Sequence, residues 1–300
     1  MHSGATLSLD SAMDEMRTAM DRQFDLLLTV PDDARARLYH AMRHSAIDGG
    51  KRLRPLLVKA SADLFAVSEH SAHRVGLAVE CIHVYSLVHD DLPAMDDDNM
   101  RRGRPSAHVA FDEATAILAG DCLHDLAFSI LAEEATHADP FVRCELVRAL
   151  AQASGPGGMA GGQMMDLVAE TQSFDLAAVT RMQQLKTGAL IGFCVEAGAI
   201  MGHVPPEGRL HLHGYAHDLG LAFQIADDLI DVEGDAELAG KTLGKDAAAG
   251  KATFVSVMGA ERARAQAVLL IEQAKAHLRG YGPEADLLRK IADFAISRNR

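Results

Sequence analysis

Three observations predict an all-α fold for this chain of 300 residues. The composition is 48% hydrophobic but only 5% aromatic, with no Trp, and such a mixture of Ala, Leu, Val, Ile and Met favours helices over strands. Apolar residues recur with the helical period, and we find no convincing period-2 alternation. Gly- and Pro-rich stretches separate the periodic segments. We therefore predict a single all-helical domain over residues 1–300.

The helical segments follow one another along the whole chain, each bounded by turn-forming residues. The predicted helices are 9–28, 33–45, 52–66, 71–91, 109–134, 140–154, 157–169, 174–202, 208–233, 252–258, 260–279 and 283–297. Between the ninth and tenth of them lies the longest polar, Gly-rich stretch, 234–251. A loop of that length in a compact domain is often functional.

Charge and cysteine usage narrow the functional classes. The net charge of −13 argues against a nucleic-acid partner and suits a metal ion or a cationic intermediate better. The four cysteines are far apart among apolar neighbours, as expected of reduced thiols in a cytoplasmic protein. We see neither a signal peptide nor a membrane span. The cysteines are Cys81, Cys122, Cys144 and Cys194.

An acidic cluster, "FQIADDLIDVEGD", ends the predicted helix 208–233. Asp227 and Asp231 are four residues apart and share one helix face, whereas Asp228 points elsewhere. Two like charges at this spacing destabilise a bare helix, and a divalent cation would reverse that cost. Oxygen ligands select hard ions such as Mg²⁺, which takes one or two carboxylates and completes its shell with water and substrate phosphate.

A second acidic cluster, "HDDLPAMDDDNMRRGRP", follows the predicted helix 71–91. Asp90 and Asp96 are six residues apart, about 240° around an ideal helix, so they face one cleft only if the helix is interrupted. Pro93 gives a cause, because its ring clashes with a carbonyl of the preceding turn and it has no N–H. We predict a kink or bulge at 91–95. The alternative is that both acidic clusters are solvated surfaces. Two clusters, each at the end of an apolar helix, make this alternative less attractive.

A basic segment, "GGKRLRP", lies at 49–55. Lys51, Arg52 and Arg54 follow a Gly-Gly turn and precede a helix, where free N–H groups also favour anions. Arg grips phosphate through two hydrogen bonds and Lys acts as a point charge. A basic surface patch is the alternative. Basic residues beside acidic clusters suggest two anion sites, one metal-mediated and one metal-free.

Three further patterns give weaker signals. In "KTGALIGF" (186–193), Gly188 is either a packing residue or a local helix break that turns carbonyls and the Thr187 hydroxyl into a cleft. The segment "GPGGMAGGQ" (155–163) lacks the GK[ST] of a phosphate-binding loop, so we predict a turn leading into a closely packed helix. His213 and His217 have zinc-like spacing but no matching carboxylate, so zinc is not expected.

Taken together and in this order, "GGKRLRP", "HDDLPAMDDDNMRRGRP", "LKTG" and "FQIADDLID" resemble the isoprenyl diphosphate synthases. The resemblance implies an all-α isoprenoid-synthase-type bundle around a large central cavity, usually in a homodimer. It also implies a reaction in which an allylic diphosphate ionises, isopentenyl diphosphate attacks the cation and a proton is lost. Dimethylallyl and then geranyl diphosphate would be extended to farnesyl diphosphate.

The resemblance also implies roles for individual residues, with three Mg²⁺ ions present when diphosphate is bound. Asp90, Asp96 and Asp227 would bind these ions, with Asp91 and Asp231 supporting the two motifs. The allylic diphosphate would be held by Lys186, Thr187, Gln224 and Lys241, with Arg101. The isopentenyl diphosphate would be held by Gly50, Lys51, Arg54, His83 and Arg102. Oxygens of Lys186, Thr187 and Gln224 would face the cation, and the released diphosphate would be the base.

Product length depends, in this family, on the residues four and five before the first Asp, here Ser86 and Tyr85. A tyrosine ring about 7 Å along the helix from Asp90 could close a tunnel sized for the farnesyl chain. The helical wheel places Ser86 nearer to the Asp90 face and Tyr85 about 140° away, so this role of Tyr85 comes from the resemblance alone.

Three alternatives remain at the level of the sequence. A geranylgeranyl diphosphate synthase would differ only in its tunnel. A class I terpene cyclase also uses metal-binding Asp on helices, but it would leave "GGKRLRP" and His83 unexplained. A non-catalytic partner subunit tends to lose one or both Asp motifs, and both are intact here.

Overall fold

The computed structural model of the chain describes residues 8–233 and 253–297. Helices dominate it, as predicted, and many begin at a side-chain cap such as Ser8, Ser68 or Asp175. In chain order the α-helices are α1 (Leu9–Leu27), α2 (Ala36–Ala46), α3 (Leu53–Asp63), α4 (Glu69–Asp90), α5 (Ala107–Ala110), α6 (Glu113–Ala132), α7 (Pro140–Ser154), α8 (Met159–Ala169), α9 (Leu176–Gln183), α10 (Ala189–Met201), α11 (Leu210–Glu233), α12 (Phe254–Met258), α13 (Ala260–His277) and α14 (Asp286–Ser297).

The long apolar helices pack around one continuous core that extends from Ala12 to Ala295. Within it, α4 packs on α6, α3 lies between α4 and α10, and α13 covers α11. Where α3 meets α10 the backbones come close together: a Cβ added to Gly198 would lie 2.4 Å from the Ser61 carbonyl carbon. The Ser61 hydroxyl donates to the Val195 carbonyl across this contact. These crossings bring the ends of α4, α10 and α11 into one region.

Two predicted helices are divided in the structure. The predicted helix 109–134 separates into α5 and α6 because the Asp112 side chain accepts from Thr115 N (2.6 Å) and starts a new helix. The predicted helix 174–202 is interrupted by a π-helical turn, Gln184–Gly188, between α9 and α10. This is the local helix break that the sequence left open beside Lys186 and Thr187. Such turns occur frequently at functional sites.

A short hairpin follows α4 that the sequence did not predict. Strands β1 (Met100–Arg101) and β2 (Arg104–Pro105) pair antiparallel, with Arg101 opposite Arg104. The two turn residues between them, Arg102 and Gly103, have positive φ angles of 53° and 75°, as the twist of a two-residue hairpin turn requires. Strands of two residues are too short to show a periodic pattern, which explains why they were missed.

Helix α6 is long and apolar enough, by length and composition alone, to cross a membrane. It is the one such helix within the described ranges, and 39% of its apolar window is buried inside the protein. Length and composition are weak evidence of a span, because a packed helix meets the same criteria. Side chains of Ile117 and Leu118 are exposed on its surface.

Candidate active site

The loop after α4 brings Asp96 back beside Asp90. The helix ends at Asp90, and the Asp96 N–H then donates to the Asp90 carbonyl (2.8 Å). Pro93 lies inside this loop and cannot supply a helical N–H. The predicted interruption is therefore confirmed, in the form of a helix end rather than a kink in a continuing helix. Asp97 takes a left-handed conformation, with φ 47°, as the chain turns back.

Asp90 carries a charge that its surroundings do not neutralise. Burial raises the pKa of the Asp90 carboxyl from 3.8 to about 6; nearby Lys186 lowers it, and Asp96 and Asp91 raise it. A neighbouring carboxylate disfavours ionisation, so Asp96 makes the ionisation of Asp90 less favourable and a bound cation would make it more favourable. The α4 terminus itself depends on close packing: a Cβ on Gly120 of α6 would lie 2.1 Å from His89 Nε2.

Asp91, by contrast, is already paired. It is 2% exposed, and its carboxylate accepts two bonds from Arg101 Nε (3.0 and 3.3 Å) and a further one from Arg101 Nη2. Arg101 also lies 3.6 Å from Asp98. Asp91 therefore attaches the hairpin to the end of α4.

The π-helical turn presents Lys186 and Thr187 side by side. Lys186 Nζ donates to Asp166 Oδ2 of α8 (2.6 Å), a buried carboxylate. The approach of α8 requires glycine, because a Cβ on Gly162 would lie 2.1 Å from the Lys186 backbone nitrogen. The close packing predicted for "GPGGMAGGQ" is thus confirmed. Since Lys186 also lowers the pKa of Asp90, it connects the turn to the first acidic cluster.

A chain of hydrogen bonds continues from the π-helical turn into the second acidic cluster. Thr187 Oγ1 donates to Gln224 Oε1 (3.1 Å), and Gln224 Nε2 donates to Asp228 Oδ1 (3.2 Å). The other Asp228 oxygen accepts from Phe254 N at the start of α12 (2.8 Å). Asp228 is buried and points away from a metal-binding face, as its helical position predicted. Asp227 is partly exposed and Asp231 is buried on the same helix.

The basic segment surrounds the turn before α3. Gly49 and Gly50 leave room for Arg102: a Cβ on Gly49 would lie 2.5 Å from Arg102 Nη1, and one on Gly50 2.7 Å from its Cζ. Gly50 also has φ 66°, a conformation that glycine adopts without strain. The sequence therefore places glycine where the hairpin arginine crosses the loop. Loss of hydration lowers the pKa of Arg102.

The three basic residues after this turn have different surroundings. Arg52 is 2% exposed and donates to Glu80 Oε1 (2.8 Å) and Asp21 Oδ1 (2.6 Å). Lys51 Nζ lies 4.9 Å from the Phe294 ring centroid. The buried Nε of Arg54 has no hydrogen-bond partner among the described residues. Arg52 is thus a structural residue, and Arg54 retains an unused donor.

His83 lies on α4 near this group of arginines. Loss of hydration and then the charges of Arg54, Arg102, Arg101 and Arg52 hold the pKa of His83 well below its usual range. The imidazole is therefore neutral at physiological pH. A neutral imidazole supplies one donor and one acceptor to a ligand without repelling the neighbouring cations.

Tyr85 lies in the seam between α4 and α6, and Ser86 beside it bonds within its own helix. The Tyr85 ring meets His89 and His124 edge to face, with centroids 5.6 and 5.1 Å apart. The Ser86 hydroxyl donates to the His83 carbonyl (2.8 Å). Burial raises the pKa of Tyr85, and the charge of Asp90 raises it further. The phenol is therefore within electrostatic reach of Asp90. Lys241 lies outside the described residues.

The donor set fits Mg²⁺. Within 8–233 and 253–297, no group of three His, Cys, Asp or Glu side chains is close enough to hold a metal by itself. Mg²⁺ seldom needs one, because one or two carboxylates and substrate phosphates suffice. The Asp90–Asp96 pair offers only oxygen donors, and a hard cation would offset the burial that raises the pKa of Asp90.

Comparison with known proteins identifies the family. The family model described as polyprenyl synthetase matches residues 35–279. The chain belongs to the polyprenyl synthetase family. It is 46% identical over 267 residues to the farnesyl diphosphate synthase of Escherichia coli K12, which covers 86% of this chain and 88% of that relative. The farnesyl diphosphate synthase of Bacillus subtilis 168 is 38% identical over 298 residues, 98% of this chain and 99% of that relative.

Solved structures agree with this assignment. The apo crystal structure of a FPP/GFPP synthase from Zymomonas mobilis has a TM-score of 0.89 and 55% identity, covering 96% of this chain and 99% of that one. A geranyltransferase from Legionella pneumophila has a TM-score of 0.86 at 31% identity, covering 97% of both chains. The all-α isoprenoid-synthase fold predicted for this polyprenyl synthetase is therefore confirmed.

Sequence reasoning missed two polar residues of α8 in this polyprenyl synthetase. Asp166 holds Lys186, as described above. Gln163, one turn earlier, is 9% exposed, and neither atom of its amide group has a hydrogen-bond partner among the described residues. A buried amide without partners is costly unless a ligand or water meets it. The available signal was polar residues in an otherwise apolar helix, "MAGGQMMDLVA".

Proposed function

We propose that this polyprenyl synthetase is a Mg²⁺-dependent prenyltransferase that condenses isopentenyl diphosphate with dimethylallyl and then geranyl diphosphate to give farnesyl diphosphate. The observation that carries the proposal is the presence of two complementary anion sites. One is the Asp90–Asp96 pair beside Lys186, in which burial and the charge of Asp96 raise the pKa of Asp90, and the other is the group of arginines around Gly49 and Gly50. The names of the relatives in E. coli and B. subtilis support the product assignment.

The acidic site would bind the allylic substrate. Asp90, Asp96 and Asp227 would hold three Mg²⁺ ions, with Asp231 supporting them; bound Mg²⁺ supplies Lewis-acid stabilisation of the departing diphosphate. Lys186, fixed by Asp166, would add a positive charge that needs no reorganisation as the diphosphate leaves. Arg101 and Lys241 are proposed to assist it.

The π-helical turn would stabilise the carbocation that forms when the diphosphate leaves. The Thr187 hydroxyl donates its proton to Gln224, so its oxygen lone pairs remain available to a cation. A backbone carbonyl of the π-helical turn near Lys186 would act in the same way. Preorganised dipoles of this kind favour the charge that develops in the transition state.

The basic site would bind isopentenyl diphosphate without a metal ion. The unused Nε of Arg54, the Arg102 guanidinium and Lys51 would contact its phosphates. His83, which is neutral, would add a hydrogen bond. The substrate double bond would attack the allylic cation, forming the new carbon–carbon bond. The proton lost from the adjacent carbon would pass to the released diphosphate.

Incubation with Mg²⁺, isopentenyl diphosphate and each allylic diphosphate tests the activity directly. We expect farnesyl diphosphate as the main product. Absence of condensation with every allylic substrate would exclude the enzyme assignment.

Asp90→Ala and Asp227→Ala should abolish turnover while circular dichroism and the melting transition remain those of a folded protein. Unfolding of both variants would indicate a structural role instead.

Tyr85 is the proposed determinant of product length. Its edge-to-face contacts with His89 and His124 place a ring in the α4–α6 seam, and its removal would leave space for a longer chain. We expect Tyr85→Ala to lengthen the product, measured by chromatography of dephosphorylated products. Tyr281→Ala is the matched control, because its ring packs edge to face on Phe65 beyond the end of α3. An unchanged farnesyl product in Tyr85→Ala would refute this role.

We also propose that the chain works as a cytoplasmic homodimer. Helix α6 is strongly apolar, yet only 39% of its apolar window is buried within the protein. An exposed apolar helix face of this kind fits a subunit interface better than contact with water. Light scattering should give about twice the mass of one chain, and Ile117→Lys with Leu118→Lys should shift that mass towards the monomer.

A further inference from the structure

A cavity lies between α7, α10 and α11, outside the proposed substrate sites. It has a volume of about 540 Å³. Buried apolar side chains such as Phe193 and Leu221 line its depth, while exposed Arg148 and Arg181 stand at its mouth. Its wall includes Gly188 of the π-helical turn, whereas Lys186 and Thr187 do not line it. The cavity therefore lies behind the turn, on the side away from the catalytic residues.

Small residues make room for a ligand chain in this cavity. Gly192 lies inside α10, and a Cβ built on it would meet no atom within 4 Å. Glycine is unfavourable in a helix interior relative to alanine, and no close backbone contact requires it here. Alanines at 149, 189 and 216 line the same space. The result is a channel along α10 that is apolar beside Phe193 and Leu221 and also bordered by polar Gln152, Gln184 and His217.

The mouth of the cavity is positively charged in a chain whose net charge is −13. Arg148 donates only to the neutral Gln152 Oε1 (3.0 Å), and no carboxylate among the described residues pairs with Arg181. The one acidic residue of the lining, Glu196, shares Arg209 (3.2 Å) with Glu145 (2.6 Å). Two arginines against one lining carboxylate leave the mouth positive on balance, next to the apolar side chains of Phe193 and Leu221.

We propose that this cavity binds a single-chain amphiphile with an anionic head group. The chain would lie against Gly192 and Phe193, and the head would lie between Arg148 and Arg181. A phosphate or a carboxylate head satisfies the same chemistry, because Arg forms paired hydrogen bonds with both. A cationic amphiphile would be repelled by the arginines, and a small inorganic anion would leave the apolar interior unfilled.

The cavity is also placed to influence the proposed active site. Its lining residues Gln184 and Gly188 are the first and last residues of the π-helical turn, and Lys186 and Thr187 lie between them. A ligand that fixes both ends of the turn would change the freedom of these two side chains. This part of the inference rests on the proposed function, whereas ligand binding itself does not.

Isothermal titration calorimetry with dodecyl phosphate tests the binding site. The titration is made without Mg²⁺, so that the aspartate clusters do not attract a phosphate. Dodecanoate distinguishes the two head groups, and dodecyltrimethylammonium and inorganic phosphate test the need for an anion and for a chain. Gly192→Phe fills the cavity, Arg181→Gln removes a charge at its mouth, and Arg262→Gln is a matched control on an exposed face of α13.

We expect one binding site for dodecyl phosphate, weakened about tenfold or more by Gly192→Phe and by Arg181→Gln and unchanged by Arg262→Gln. An affinity for dodecyl phosphate in both cavity variants that equals that of the natural chain would overturn the proposal. Equal affinity of the natural chain for the cationic amphiphile would also overturn it. Inorganic phosphate binding as tightly as dodecyl phosphate would also overturn it.

Turnover tests the coupling separately. Dodecyl phosphate should alter kcat in the natural chain and not in Gly192→Phe. An unchanged kcat at saturating dodecyl phosphate would refute the coupling between the cavity and the active site. The conclusion from calorimetry, that the cavity binds the amphiphile, would be unaffected. An inactive natural chain would refute the proposed function without affecting the binding result.

Discussion

Arg52 and Asp90 are both charged residues beside the end of a buried helix, but their electrostatic surroundings are opposite. Arg52 precedes α3 and is 2% exposed, with Glu80 and Asp21 as partners at 2.8 and 2.6 Å. Asp90 ends α4 with its pKa raised to about 6, because burial and Asp96 outweigh Lys186. A compensated charge stabilises the scaffold, and an uncompensated one is poised for a ligand.

The same division separates close neighbours within each motif. Asp91 is paired with Arg101, while Asp90 is not compensated. The Nε atoms of Arg52 and Arg54 both lack a partner among the described residues, but Arg52 binds two carboxylates and Arg54 has no ion pair with a described residue. Each motif therefore contains a residue that stabilises the fold, Asp91 or Arg52, and a residue proposed to bind a ligand, Asp90 or Arg54. Replacing the first should alter stability, and replacing the second should alter activity.

The largest expected effect is on stability, at Arg52. Arg52→Met leaves the buried Glu80 carboxylate without its partner, which should lower the free energy of unfolding by about 3–5 kcal/mol. Urea denaturation followed by circular dichroism measures it. The double variant Arg52→Met with Glu80→Leu should recover part of the loss, because the one carboxylate that still lacks its partner, Asp21, is partly exposed. A loss below about 0.5 kcal/mol in the single variant would contradict the comparison.

A smaller effect, of opposite sign, is expected at Asp90. Its folded pKa is raised from 3.8 to about 6, so the native state binds this proton more tightly than the unfolded state. The metal-free protein should therefore lose stability as the pH rises from about 4 to 6. Asp90→Asn should stabilise it at pH 7 by about 1–2 kcal/mol while abolishing turnover.

The melting temperature with and without Mg²⁺ checks this expectation. Asp97→Asn is the matched control, since Asp97 is exposed in the same loop and Asn tolerates its left-handed conformation. Destabilisation by Asp90→Asn in the absence of metal would show that the Asp90 charge is compensated after all.

The smallest stability change is expected at Arg54, where the kinetic effect should dominate. Arg54→Gln should change the free energy of unfolding by no more than about 0.5 kcal/mol. The KM for isopentenyl diphosphate should rise about tenfold or more, because a charge-assisted hydrogen bond to phosphate is lost. The KM for the allylic substrate should change less. Equal increases in both constants would place Arg54 outside a separate isopentenyl site.

The helices were predictable where apolar periodicity is long, and their interruptions were predictable only where a residue forces them. Pro93 predicted the end of α4. The start of α6 could not be predicted in this way, because it depends on a side-chain cap at Asp112 within a continuous helical pattern. The hairpin depends on the conformations of Arg102 and Gly103, which leave no periodic signal. Helix ends therefore reflect local hydrogen bonds that a pattern of apolar residues does not encode.

The candidate site could be outlined from its motifs, but its internal pairing could not. The sequence grouped Lys51, Arg52 and Arg54 together, and only the positions of Glu80 and Asp21 in space separate Arg52 from the others. Asp166 went unnoticed because its partner Lys186 is 20 residues away. Such pairings arise from tertiary packing, which brings distant residues into contact.

Two glycines without any chemistry of their own determine where the catalytic groups stand. Gly120 admits the ring of His89 at the end of α4, and Gly162 admits the backbone of Lys186. A scan of single substitutions scored by cell growth would therefore find these glycines nearly as intolerant as the aspartates. Mutational intolerance in this chain marks places where a helix backbone must closely approach a side chain or another backbone, as well as places where a charge must act.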